Sequence, residues 1–432
     1  MKLSRLARAL YQDIAYLTVI DGHEHLPAEA DYLSHEYSGL NLFAGGYIWH
    51  DLESAGMSSE FKKTMREGGD RPVEQWWPHV RPYWEYVKHT TYAKALRITA
   101  LDLFGIPDIN DSTIGEFAEK VKADNTPGLY RRVLQERCNI RCSITCTGQA
   151  AFPDDPGLRG ITFFPTAQGA GRSLTRSLAE RSGAEIRTLE DAAHAAQSVL
   201  RSDLEAGAVG FKIRVGQHGA PNPQAAEVEL REALRPSPEP GDFPALRDYL
   251  FDKCLDVAAR ADVPVAVHTG YWGDFRQLDP KLMFSFAPRR PDVRFDMFHL
   301  GMPMVREAAL MGKTLPNVTL NLCWCPVISQ VQTKRMVDEI IDLVPLNKVI
   351  AFGGDYRAAV QKVYGHLVLA REVVASVLAD RIESDDFDRA YALEVARLWF
   401  HDNPTRIYRL GQEESKRSET QSKRSQTPRS GS

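Results

Sequence analysis

Eight short, strand-like apolar runs recur down this chain, at Leu17–Asp21, Asn139–Thr145, Gly160–Pro165, Ala208–Val215, Val263–Thr269, Arg294–Leu300, Val318–Trp324 and Lys348–Gly353. Helical stretches such as Leu189–Ala206 and Asp248–Ala261 separate most of them. Near-continuous apolar strands are buried on both faces, and strands joined through helices run parallel. Eight such units predict an α/β fold, a parallel (β/α)8 TIM barrel. The competitor is a doubly wound open sheet, but no G-x-G-x-x-G follows the first run and no P-loop occurs anywhere.

Around this frame the chain divides simply. Leu3, Leu6, Leu10 and Ile14 predict a short amphipathic helix leading into the first strand. From about 27 to 125 no strand pattern repeats, and the region is rich in aromatics: Trp49, Trp76, Trp77, Tyr83 and Trp84. That length exceeds an ordinary connection, so it predicts a mostly helical insertion placed over whatever site follows strand one. Its aromatics are expected to pack its own helices, or to form a lid wall. Helices at about Ala359–Ala379 and Asp385–Trp399 finish the fold, with Asp402–Tyr408 as a closing segment. The expected domain is therefore 1–410. The Ser/Lys/Arg/Gln-rich tail 411–432 carries no residue suited to a core and is predicted to be disordered.

A formal net charge of −4 and no basic run within the body of the chain make nucleic acid an unexpected partner. No apolar stretch approaches the roughly 18 residues of a membrane span, and the basic start is interrupted before a leader-like core forms. A cytoplasmic protein acting on a small molecule is the expectation, with a homo-oligomer left open. The six cysteines make no disulfide framework. Cys138, Cys142 and Cys146 are read as buried thiols, and Cys323 and Cys325 as packing residues on one face of a strand.

The polar residues at the strand ends carry the chemistry. In Asp21-Gly-His-Glu-His25, His23 and His25 point to one side of an extended strand and Glu24 to the other. That is a chelating pair. The carboxyl ends of barrel strands converge, so Lys212 on the fourth, His268 on the fifth, His299 on the sixth and Asp355 past the eighth are predicted to meet the pair. Taken singly, each has a bland reading: a satisfied core histidine, or for Asp355 a helix N-cap. Their arrival at the same ends of successive strands favours a metal site made by His23, His25, His268 and Asp355. His35, His50, His79, His89, His194, His218 and His401 lack strand-end placement and are assigned no role.

This ligand order, with H-x-H after strand one, lysine at strand four, histidines at five and six and aspartate at eight, resembles the amidohydrolase superfamily over nearly the whole chain. The insertion and the ending Asp402-Asn-Pro-Thr-Arg-Ile-Tyr408 look most like its amidohydrolase-2 branch. Several segments look like uronate isomerase: Tyr92–Ile106, Ile161–Thr166, Asp355-Tyr-Arg357 and Tyr364-Gly-His366. Lys212 and the Phe-His-Leu-Gly context of His299 are more typical of hydrolytic members, and the isomerase's Arg-Pro-Asp does not follow Thr166.

Neutral imidazoles and a carboxylate suit Zn²⁺ or another divalent ion such as Mn²⁺, which lowers the pKa of a water towards about 7. Asp355 is then the candidate proton carrier, and His299 either a ligand or the polariser of a substrate carbonyl. Lys212 pairs with a substrate carboxylate if unmodified, or bridges two metals if carbamylated, so one or two ions per chain are open. Arg357 and Arg214 are candidates for the same anion-binding role. The expected activity is hydrolysis of an amide, lactone or ester of a small carboxylated substrate. The alternative is non-hydrolytic use of the same site, as a uronate isomerase-like sugar-acid isomerase or a decarboxylase. A metal-binding barrel without catalysis is the third class.

Overall fold

A computed structural model describes residues 1–35, 37–167, 172–235, 242–271 and 274–410. The tail expected to be disordered lies outside them. Eight parallel strands follow one another around a barrel in chain order: β1 (Val19–Glu24), β2 (Ile140–Thr145), β3 (Leu158–Phe163), β4 (Gly210–Arg214), β5 (Val265–His268), β6 (Phe295–Phe298), β7 (Val318–Asn321) and β8 (Val349–Ile350). The predicted (β/α)8 barrel is thus the fold, with every expected strand present. Most strand residues are buried, as the unbroken apolar runs require of strands packed on both faces.

Two strands, β7 and β8, end furthest short of their apolar patterns. β7 stops at Asn321, and Cys325 opens a short helix, Cys325–Ile328, after Trp324 at φ 66°. Cys323 and Cys325 are therefore not same-face strand neighbours, although both remain buried free thiols. β8 keeps only two residues because the chain beyond it leaves the ladder with β7 and turns to β1. There the Gly22 N–H donates to the Phe352 carbonyl at 2.9 Å, the Asp355 N–H to the His23 carbonyl at 2.8 Å, and the His25 N–H to the Tyr356 carbonyl at 3.0 Å. These three bonds draw Asp355 against the histidine pair.

Among the described residues, the stretch after β1 folds into seven helices between Glu29 and Asp124. Ser38 begins one of them with a reciprocal side-chain cap involving Asn41, satisfying backbone donors that a helix start leaves unpaired. Trp76 and Trp84 are fully buried here, and the Trp84 indole donates to the Ile109 carbonyl at 2.8 Å. Most of the aromatic cluster is packing, as an indole with an internal partner normally is. After the barrel, the helix Val360–Glu383 packs against the N-terminal helix Arg5–Ala15 and against Thr91–Phe104. The closing segment seals the far end. Asn403 donates to the Leu346 and Val349 carbonyls, and the Tyr408 hydroxyl donates to Asp296 at 2.7 Å. No helix among the described residues is long and apolar enough to cross a membrane.

Candidate metal centre

His23 is the fifth residue of β1, and His25 lies just past the strand end; their ring centroids are 4.8 Å apart. Asp355 Oδ1 lies 3.4 Å from His23 Nε2 and 3.3 Å from His25 Nε2, while Oδ2 is 3.8 Å from His299 Nε2. One carboxylate thus faces three imidazoles from two strand ends. His268 joins through His299, with its Nδ1 3.3 Å from His299 Nε2.

The surroundings settle which ring nitrogens are free. His25 Nδ1 lies 2.6 Å from the Cys146 carbonyl and His299 Nδ1 2.9 Å from the Cys323 carbonyl. A carbonyl only accepts, so each Nδ1 carries the proton and each Nε2 turns a lone pair towards Asp355. His299 Nε2 also lies 3.3 Å from His268 Nδ1, and His268 Nε2 is buried without a partner among the described residues. Burial, aided by the Lys212 charge, pushes His25 down to about 4 and His299 down to about 3, and it holds His23 and His268 well below the usual histidine range. All four rings are neutral at pH 7. Neutral imidazoles with oriented lone pairs around one carboxylate are what a divalent transition ion requires, so these residues fit the metal that the strand-end pattern implies. His23, His25 and Asp355 would hold it, with His268 or His299 as a further ligand.

Burial raises the Asp355 carboxyl to about 7, partly offset by the charge of Lys212. Lys212 itself is deeper than an anion receptor at the mouth would be. Its Nζ lies 2.9 Å from His23 Nε2 and 3.9 Å above the Phe298 ring, and burial lowers its pKa. Arg357 and Arg214 are at the rim, lining with Lys212 and His268 a cavity of about 630 Å³ above Asp355.

Sequence reading missed several contributors. Tyr47 and Arg66 reach the cavity from the inserted helices, and nothing in their spacing marks them, whereas Trp49, one of the aromatics offered as a lid wall, lines it with them. Asp21 and Glu24 form a buried acid pair under the histidines. Asp21 accepts from the Gly354 N–H at 3.0 Å and Glu24 from the Tyr356 N–H at 2.6 Å. Burial and the charge of Asp21 hold Glu24 well above the carboxylate range, so the pair keeps a proton. The two glycines before Asp355 let the chain pass close to its neighbours, Gly354 against this pair and Gly353 against Cys323. A Cβ on Gly354 would lie 1.8 Å from Glu24 Oε1, and one on Gly353 2.8 Å from the Cys323 Cβ.

With this geometry in view, the resemblances of the chain are informative. Glucuronate isomerase from Caulobacter crescentus superposes with a TM-score of 0.77 at 16% identity over 94% of each chain. A Lactobacillus casei protein named provisionally as a metal-dependent hydrolase superposes with a TM-score of 0.62 at 15% identity, covering 94% of this chain and 98% of that one. At such identities these likenesses concern the fold. Protein fluG of Emericella nidulans is 25% identical over 194 residues, 43% of this chain, and the match spans 22% of that longer protein. The amidohydrolase-2 profile, described as amidohydrolase, matches residues 20–410. With that match running from β1 to the closing segment, the chain belongs to the amidohydrolase family.

Proposed function

We propose that this chain is a metal-dependent hydrolase that cleaves an amide, lactone or ester bond in a small carboxylated molecule. The observation that carries the reading is Asp355: a carboxylate set against three neutral imidazoles and facing an open cavity. A divalent ion held by His23, His25 and Asp355 would supply a Lewis acid that makes a water acidic near neutral pH.

The remaining work belongs to the chain's own side chains. Asp355, which lines the cavity beside the histidine pair, is placed to take a proton from the attacking water and return it to the leaving group. His268 Nε2, buried at the cavity wall without a partner among the described residues, is placed to hydrogen-bond a polar group of the substrate. Lys212 places a positive charge where negative charge develops on the carbonyl oxygen. Among the described lining residues, Arg66, Lys212, Arg214 and Arg357 face Asp355 as the only carboxylate, an imbalance that favours an anionic substrate.

Turnover in ¹⁸O-water tests the reading on any substrate found by screening N-acyl amino acids, lactones and esters. Hydrolysis puts one label into the product acid. Turnover of a uronate or an aromatic acid without label incorporation would replace this reading with the isomerase or decarboxylase alternative.

A further inference from the structure

A second cavity, of about 330 Å³, opens where β4 ends and is lined by Thr166, Arg214, Gln217, His218, Arg247 and Phe251. Arg214 lines this cavity and the larger one over Asp355. It also stands beside His268 in the β4–β5 register, so the side cavity joins the metal centre through one guanidinium. Among the described residues Arg214 has no carboxylate or hydrogen-bond partner.

The side cavity is built rather than incidental. His218 Nδ1 lies 3.0 Å from Asp248 Oδ1, and its ring stacks on Phe251 at 3.8 Å and 5°. The other Asp248 oxygen accepts the Gly219 N–H at 2.7 Å, so this carboxylate is engaged in orienting the wall. Arg247 donates from Nη1 to Asp242 at 3.1 Å, and its Nε lies 3.9 Å from Asp248. Its Nη2 has no partner among the described residues. Two guanidinium groups thus flank a cavity whose acidic neighbours are already engaged, and planar guanidinium forks suit carboxylates. His218, which has no place at a strand end, acquires a role here.

We propose that the substrate is a dianion spanning both cavities, with one carboxylate near Arg357 and Arg66 and a second between Arg214 and Arg247. This rests on the reading of the main cavity as a carboxylate site and adds a second anionic group to it. The labile bond would then lie between the two carboxylates, above Asp355.

Calorimetric titration of the full-length, metal-loaded protein tests this without turnover. The probes are glutarate, adipate and pimelate, each paired with the monocarboxylate of the same carbon number. At least one diacid should bind about tenfold more tightly than its monoacid, the scale of one charge-assisted contact. Arg247→Met should bring that diacid down to the monoacid's affinity, and Gln217→Ala should weaken the diacid alone. Arg357→Met should weaken both. Circular dichroism checks that each variant is folded, and Arg247 is exposed enough on its helix to be replaced without disturbing the core. Equal binding of diacids and monoacids, or a preference that survives both side-cavity variants, would overturn the proposal. If neither class binds, the carboxylate reading of the main cavity falls, and the proposal with it.

Discussion

Asp355→Asn should have opposite effects on stability and on function. In the metal-free protein Asp355 is a buried carboxyl whose pKa stands at about 7, against about 3.9 in an unfolded chain. Between those values the folded state binds more protons than the unfolded one, so this group lowers stability progressively as pH rises from about 4 to about 7 and then contributes a constant cost. Roughly three pH units at about 1.4 kcal/mol each set that cost at about 4 kcal/mol above pH 7 and about 1.5 kcal/mol at pH 5. Asparagine keeps the shape without the charge. Urea denaturation of EDTA-treated protein should therefore show the variant more stable than wild type by up to these amounts, with a gain that grows from pH 5 to pH 8. The backbone N–H that ties Asp355 to the His23 carbonyl is unaffected by the change. In the metal-loaded enzyme the same substitution should lower kcat roughly 10²–10⁴-fold, because an amide has no basic lone pair. A variant less stable than wild type at pH 8, or one retaining above about a tenth of wild-type turnover with full metal, would refute the assignment. Asp355 would then be a structural anchor.

Three further outcomes are expected. Protein as purified should hold about one divalent transition metal per chain by elemental analysis, and His23→Ala should remove metal and activity together; under about a tenth of an equivalent in wild type, with no uptake of added Zn²⁺ or Mn²⁺, counts against the centre. Gly354→Ala should cost about 2–4 kcal/mol in urea denaturation, because its Cβ must displace the buried Glu24 carboxyl from the Tyr356 N–H; an unchanged midpoint would mean that Glu24 has room to move. Deleting residues 411–432, which offer nothing to bury, should leave melting temperature and turnover unchanged within error; a fall of several degrees would show that the tail docks.

The barrel and the strand-end polar residues were legible in the sequence for one reason. A parallel strand buried on both faces writes itself as an apolar run, and a polar residue ending such a run needs an explanation. His268 and His299 stand out in Val265-Ala-Val-His268 and Phe295-Asp-Met-Phe-His299 on that ground alone. Lys212 was equally visible, but its depth was not: only the fold shows its Nζ at His23 rather than at the rim. Arg66 and Tyr47 were invisible as site residues because their helices reach the cavity by tertiary packing, which leaves no period in the chain. His218 was hidden for a related reason, since the side cavity it lines is made by a loop after β4 and the face of a following helix.

Backbone conformation was the other thing the pattern could not carry, and it bears on function most directly. Asp355 has φ 58° and His299 φ 64°, a left-handed region that side chains other than glycine, asparagine and aspartate seldom adopt. Each residue sits immediately beyond its strand or the ladder it leaves, and each turns its side chain to the other, Oδ2 to Nε2 at 3.8 Å. An ordinary extended continuation would alternate the next side chain to the opposite face of the barrel wall. Such conformations cost about 1–3 kcal/mol each and persist where the surroundings over-determine them. Here the surroundings are the Cys323 carbonyl that fixes His299 and the His23 carbonyl that holds the Asp355 N–H. The cost falls on two residues brought together from the ends of β6 and β8, which is the distribution expected when the meeting of a carboxylate with an imidazole, rather than the stability of either loop, is what the fold retains.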